Sequence, residues 1–537
     1  MTGGRAGGAS ERPLRLTWVQ PEDLVGHELR QAAEDGRDPA AVAAITRRWH
    51  AAGGHDAPPR AGASPDPAGD RLRALAGELL DELAALPSPL PEPAGLPEIL
   101  AAAPAGRTAR HPSGPAAPDR PDTAGTAAVP DRLDTPNGPA GANSASDPGD
   151  LDSAHGPDGS NGRGGLDGSG DRGGLDGSGD LADRVLGAWL GRAAGCVLGK
   201  PVEKIPREGI REIAEATGNR PIRGWFTAAG LPAEVAARWP WNRRGAATAL
   251  AERLAETPHG VPEDDDLNYA FLALALLERS GRDFATADVA ALWLDELPAG
   301  RVFTAERVAY RNLLAGVEPP RTATTRNPFR EWIGALIRAD VYGWATSGDP
   351  VTAAAMAWRD ARLSHTANGV YGAMMVAAMC AESLVAASVD QVVAAGLSVV
   401  PAGSRLAAAV TAAVADARRE PDFERVVDRL YERHGGLHWV HTVNNAALVA
   451  AALVHGRGDF TASIAGAVAA GWDTDSAGAT VGSIAGGLLG AAGIPAGWQL
   501  PGPIASSVRG FDGTTLDALA RRTLALHPTR PGREEQP

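Results

Sequence analysis

The sequence predicts an all-α protein, on three observations. Between Leu181 and Pro528, eleven successive segments carry apolar residues at i, i+3, i+4 spacing or have largely apolar bodies. No stretch alternates apolar and polar residues over strand length between turn signals. The 537 residues are 44% apolar, and 11 of the 13 tryptophans fall in this region, so a large core can form there.

Taken in order, two helices are expected before the main region. One spans Pro21–Ala33. The other spans Asp70–Leu86, where Leu72, Leu75, Leu79, Leu80, Leu83 and Leu86 recur at helical spacing. The two helices of residues 1–105 are too small for a stable core alone and are expected to dock on a larger body. Residues 106–180 read as a disordered spacer. They have five large apolar side chains, no aromatic residue, and 12 Asp against 6 Arg. A tandem nonapeptide, RGGLDGSGD, occupies Arg163–Asp171 and Arg172–Asp180, without the residue order of a calcium repeat.

Residues 181–528 are expected to form one all-α domain, with 529–537 a disordered tail. A small-residue helix ends at Gly199. The further helices are Leu267–Arg279, Thr286–Leu297, Thr304–Ala315, Pro328–Tyr342, Pro350–Leu363, Val370–Val385, Ser404–Arg418, Phe423–Glu432, Thr442–Val454, Phe460–Ala470 and Ala477–Ala491. Thr304, Asp349 before Pro350, Ser404 and Asp459 stand where N-caps are expected.

A net charge of −14 argues against nucleic-acid and membrane-surface binding. Two cysteines, Cys196 and Cys380, exclude a disulfide framework and a CxxC site. The first residues hold no apolar stretch of signal-peptide type. Ala477–Ile494 is of borderline spanning length, but its Gly, Ala and Ser content reads as a buried helix. A cytoplasmic monomer is expected.

Chemistry concentrates in two acidic clusters. Glu263-Asp264-Asp265-Asp266 directly precedes an apolar helix. The helix dipole favours one or two acids there, not four. Carboxylates about 4 Å apart repel by about 4 kcal/mol at an effective dielectric near 20. The run is therefore either a solvated acidic turn or a set of hard oxygen ligands for magnesium or manganese. Trp472-Asp473-Thr474-Asp475-Ser476 also opens a helix, between apolar flanks. Asp473 and Asp475 can share a ligand only where the chain is extended or turned, with Ser476 or Asp475 then the cap. Gly478, Gly482, Gly486 and Gly490 follow at steps of four and permit close approach of another helix. Near the domain start, Gly195, Gly199, Pro201 and Glu203 end the small-residue helix in a turn and a carboxylate. Close helix packing alone is the other reading of those glycines.

Gly195-x-x-x-Gly199-x-Pro201-x-Glu203, the acidic triplet, and Gly471-Trp472-Asp473-Thr474-Asp475-Ser476-x-Gly478-Ala479 resemble the ADP-ribosylglycohydrolase family. The order along the chain fits. Gly334 to Arg338 resembles the family's central G-x-x-x-R stretch, and Ser364-His365-Thr366 with Asn368-Gly369 its later S/T-H segment. The resemblance covers about 182–501. It implies an orthogonal multi-helix bundle around two divalent cations, Mg2+ or Mn2+, that hold ribose hydroxyls and a water. The implied reaction is hydrolysis at C1″ of an ADP-ribosyl conjugate on a protein or small molecule.

By the same resemblance, Asp264, Asp265, Asp266, Asp473, Asp475 and Ser476 would ligate metal. Glu203 would be the general base or acid, with Asp265 and Asp475 beside the reacting carbon. His365, Asn368 and Gly369 would line the ribose or phosphate pocket. Arg338 is either a phosphate partner or a helix-surface charge. Trp332, Tyr342, Trp344 and Tyr371 are available for adenine. His434, His438 and His441 read as structural. Departures from the pattern are Asp264 for a threonine, Leu267 for a threonine, Ser476 for a threonine and Cys196 for an acid. Asp264 is expected to add negative charge and tighten the cations. Two other readings are a non-catalytic member that binds ADP-ribose or a protein, and a hydrolase of another ribosyl or nucleoside compound.

Overall fold

The computed structural model describes residues 19–58, 61–64, 68–104, 177–241, 254–256 and 260–527. The expected spacer, except 177–180, and the expected tail lie outside these residues. Four helices come first: α1 (Pro21–Glu34), α2 (Pro39–Ala51), α3 (Asp70–Ala85) and α4 (Leu96–Ala102). Then follow α5 (Gly177–Gly199), α6 (Arg207–Ala216), α7 (Ala233–Arg238), α8 (Asp265–Ser280), α9 (Thr286–Glu296), α10 (Thr304–Leu314) and α11 (Arg321–Thr324). The last ten are α12 (Asp340–Trp344), α13 (Pro350–Ala361), α14 (Ala367–Ser383), α15 (Val389–Ser398), α16 (Arg405–Arg419), α17 (Phe423–His434), α18 (Thr442–Gly456), α19 (Phe460–Ala469), α20 (Thr474–Leu489) and α21 (Leu516–Leu524). Among the described residues the chain is all-α, with isolated β-bridges at Val261–Ile504, Trp332–His441 and Ile504–Thr514.

Side-chain caps hold several helix starts. Asp349 accepts from Thr352 N at 3.0 Å, Ser404 from Ala407 N at 3.2 Å and Asp459 from Ala462 N at 2.7 Å. Thr304 is no cap: α10 begins at Thr304, after an extended Phe303. The expected helix over 328–342 is replaced by a 3-10 segment, Ile333–Arg338, and the short α12. The cause lies in its backbone partners. Ile333 N donates to Val440 O at 2.9 Å, and Glu331 O accepts from Thr442 N at 3.0 Å. Those groups are thus spent on a neighbouring segment instead of a helix of their own.

At the centre, α5 and α20 run against each other at backbone contact. Gly187, Gly191 and Gly195 on α5 face Gly486, Gly482 and Gly478 on α20. A Cβ at Gly191 would sit on the Gly482 carbonyl, and one at Gly482 on the Gly191 carbonyl. Only glycine permits this approach. α5 starts at Gly177, four residues inside the segment expected to be spacer. α14, α18 and α19 pack on α20.

The N-terminal helices form a layer on this body. α1 buries Leu24, Val25, Leu29 and Ala32, and His27 meets Phe329 and Trp332 edge-on at 5.1 and 5.8 Å. The contact is also ionic. Buried Arg330 pairs with Glu28 at 2.8 Å and Asp35 at 2.6 Å. Arg405 bridges Glu92 and Glu331, each at 2.7 Å. Among the described residues, no helix is long and apolar enough to cross a membrane.

Candidate active site

The site forms where the ends of α5, α8 and α20 meet. Gly199 packs directly on the Thr474 carbonyl, and Thr474 Oγ1 donates to Gly199 O at 2.8 Å. This joins the end of α5 to the start of α20. Gly471 and Trp472 both have left-handed backbones, φ 78° and 61°. Such a conformation costs a tryptophan about 1–2 kcal/mol. Stacking on Tyr431 offsets it, with centroids 4.5 Å apart. The turn brings Asp473 to the N-cap position of α20, so neither Asp475 nor Ser476 is the cap.

Asp264 caps α8, its Oδ1 accepting from Asp266 N at 2.9 Å. Glu263 turns away: its carboxylate accepts from Asn268 at 3.1 Å and Ser507 N at 3.0 Å and pairs with Arg301 at 3.0 Å. The acids directed to the site are therefore Asp264, Asp265 and Asp266. Arg192, fully buried, donates to the Asp266 carbonyl and pairs with Asp340, tying α5 to the start of α8. Ser476 Oγ donates to Asp266 Oδ2 at 3.2 Å, linking the two acidic clusters 210 residues apart.

Two sets of donor atoms result. Glu203, Asp473 and Asp475 bring oxygens within 4.8 Å of one another. Cys196, Asp264 and Asp266 form a second set at the same spacing. Burial pushes the Asp266 carboxyl well up, with Asp475 and Asp265 adding to it against Arg192. Asp473 is pushed well up by burial and by Asp475 and Glu203. Asp475 rises to about 6, first by burial and then by the Glu203 charge. Carboxylates so crowded favour a cation among them. The Cys196 thiol is pushed well up by burial and the Asp266 charge, so it stays protonated and is a poor donor to a hard ion.

One expectation is corrected. Asp264 does not bring uncompensated charge, because the ammonium of Lys200 sits against its Oδ2 with both side chains buried. Lys204 pairs with Glu203 at 2.7 Å and lies over Trp439.

Glu203, Asp265, Asp473, Asp475 and Ser476 line a cavity of about 670 Å³, a volume typical of small-molecule sites. Aromatic rings make much of its wall. Trp332 and His438 are stacked there, centroids 4.0 Å apart and planes at 12°. Glu306 also reaches it, its carboxyl pushed up to about 7 because burial outweighs Arg338. The guanidinium of Arg338 is shared with Asp360.

The four residues expected to touch substrate are not on this wall. Arg338 is buried among Glu306, Asp360 and Ser364, so it is not a helix-surface charge. Asn368 donates to Glu331 at 2.9 Å and accepts from Leu406 N at 2.9 Å. His365 is buried with Nδ1 2.8 Å from Ser364 Oγ. Gly369 packs against the Arg330 carbonyl. Arg338 and Asn368 thus find their partners inside the bundle. Trp332 alone of the four aromatic candidates lines the cavity, together with His438, expected to be structural, and with Trp239, Trp439 and Glu306. The paired aromatic residues of Trp439 and His438 were the available signal for that loop.

A model of the ADP-ribosylglycohydrolase family matches residues 178–533. The chain belongs to this family, whose members are glycohydrolases in type and typically metal-dependent. A solved structure described as an ADP-ribosylglycohydrolase-related protein complex aligns with 65% of this chain and 98% of its own, at 22% identity and a TM-score of 0.42. A search of curated proteins finds no match.

Proposed function

We propose that the protein is a divalent-cation-dependent hydrolase cleaving the C1″ glycosidic bond of an ADP-ribosyl conjugate, carried by a protein or a small molecule. The observation that supports this is the convergence of Glu203, Asp473 and Asp475, with Asp265, on one wall of an aromatic cavity. Hard carboxylate oxygens fit magnesium or manganese. When bound, such a cation orients vicinal hydroxyls of the ribose and activates water. Glu203 takes the proton from the attacking water or returns one to the departing group, and Lys204 holds its carboxylate in place. Asp265 and Asp475 stabilise the positive charge that builds at C1″. The stacked Trp332 and His438 offer a flat face to adenine. Residues 181–528 act as the catalytic body, and the chain works as a cytoplasmic monomer without nucleic acid or membrane.

The test is release of ADP-ribose from ADP-ribosylated protein and small conjugates, followed chromatographically. Glu203→Gln is expected to lose 10²–10⁴-fold in rate, and Asp475→Asn to lose divalent-cation binding as well. Full turnover by Glu203→Gln would remove its acid–base role. ADP-ribose binding without turnover of any conjugate would favour a non-catalytic binder, the reading that the altered first acidic motif, with Asp264 and Leu267, supports.

A further inference from the structure

The two sets of donors differ in what already faces them. In the first, the Lys200 ammonium is in contact with Asp264 Oδ2, and Asp264 Oδ1 is committed to Asp266 N. Asp266 Oδ1 lies 3.5 Å from the Arg192 guanidinium, and its Oδ2 accepts from Ser476. The third member, Cys196, is a soft donor unsuited to a hard ion. Two carboxylates thus face two fixed cations of the chain, all four groups buried. In the second set, three carboxylates converge; Glu203 pairs with Lys204, and the Lys200 charge also acts on Asp475. Among the described residues, Asp473 and Asp475 form no ion pair with a basic side chain. A second divalent ion at Asp264 would have to sit against the ammonium, where the charges of Asp264 and Asp266 are already matched by Lys200 and Arg192.

We propose that Lys200 Nζ occupies the place of one of the two divalent cations, so that this chain loads a single ion, held by Asp473, Asp475 and Glu203. The buried ammonium is then a fixed part of the site, which leaves one exchangeable charge to depend on the metal in solution. This rests on the metal-dependent reading above and narrows it.

The test counts Mn2+ bound to the full chain by equilibrium dialysis and metal analysis, with electron paramagnetic resonance of the loaded protein. One Mn2+ per chain with the spectrum of an isolated ion is expected. Lys200→Met is expected to bind two, with a spin-coupled spectrum, and Asp475→Asn none. Two Mn2+ on the unaltered chain would overturn this inference and leave the hydrolase reading intact. No Mn2+ on the folded unaltered chain would overturn both. A folded Lys200→Met that still binds one would remove the role of Lys200. Should that variant not fold, Lys200→Gln and the count on the unaltered chain decide.

Discussion

Glu306 reaches the cavity wall from α10, shares Arg338 with Asp360, and has its carboxyl pushed up to about 7. In the unfolded chain the same group titrates near 4.5. Between those values the folded protein holds a proton that the unfolded chain releases. The stability linked to Glu306 is therefore present below pH 4.5 and lost as pH rises through 7. A shift of this size corresponds to about 3 kcal/mol. Glu306→Gln keeps the shape and is expected to flatten this slope. Urea unfolding at pH 5 and pH 8, before and after substitution, measures it. The same scale shows what sequence can reveal about a site. Asp473 and Asp475 are acids between apolar flanks, and a buried acid needs a partner wherever it lies. Arg338 and Asn368 looked alike as candidates. A polar residue in an apolar helix does not disclose whether its partner is a substrate or, as here, Asp360 and Glu331. Glu306 gave no signal because its helix, far along the chain from both acidic clusters, is brought to the cavity only by the fold.

At the scale of elements, α5 and α20 carry opposite sides of the site on their adjoining ends. Gly191→Ala would press a methyl group onto the Gly482 carbonyl. Backbone cannot yield as a side-chain tip does, so a loss of about 3 kcal/mol is expected. The two helix ends would also part, and Mn2+ affinity should fall with the melting temperature. Calorimetry together with metal titration checks both. A variant at unchanged melting temperature and affinity would show that the helix pair separates freely. The glycine spacing on α20 was legible as a close-approach stripe, and its complement on α5 as a small-residue helix. Their pairing was not, because i to i+4 glycines mark a face without naming the partner. The helix expected over 328–342 failed for a related reason. Its apolar period is real, but Ile333 and Glu331 bond to the 440–442 segment, which lies a hundred residues on.

At the scale of the molecule, the N-terminal layer belongs to the same structural unit as the bundle. Arg330 is buried between Glu28 and Asp35, and Arg405 is partly buried beside Glu92. Val19, Ala61 and Gly62 of the layer also line the cavity. Removing residues 1–104 would leave Arg330 without either carboxylate. Breaking a buried pair costs about 3–5 kcal/mol. The shortened chain is expected to unfold at lower temperature and to aggregate, which scanning calorimetry and light scattering would detect. The sequence signals for this region were two amphipathic helices too small for a core of their own. They indicate docking in general, whereas the ion pairs that specify where become visible only from both sides of the contact. A practical consequence concerns fragments. The layer and the bundle are each continuous in sequence and meet through a buried, charge-matched surface. Two separately made polypeptides, 1–104 and 177–537, are therefore expected to reassociate, with the short one supplied in trans restoring the melting temperature of the long one. Covalent continuity would then act only by raising local concentration, and the protein could be split into a reporter whose halves recognise each other through Arg330 and Arg405.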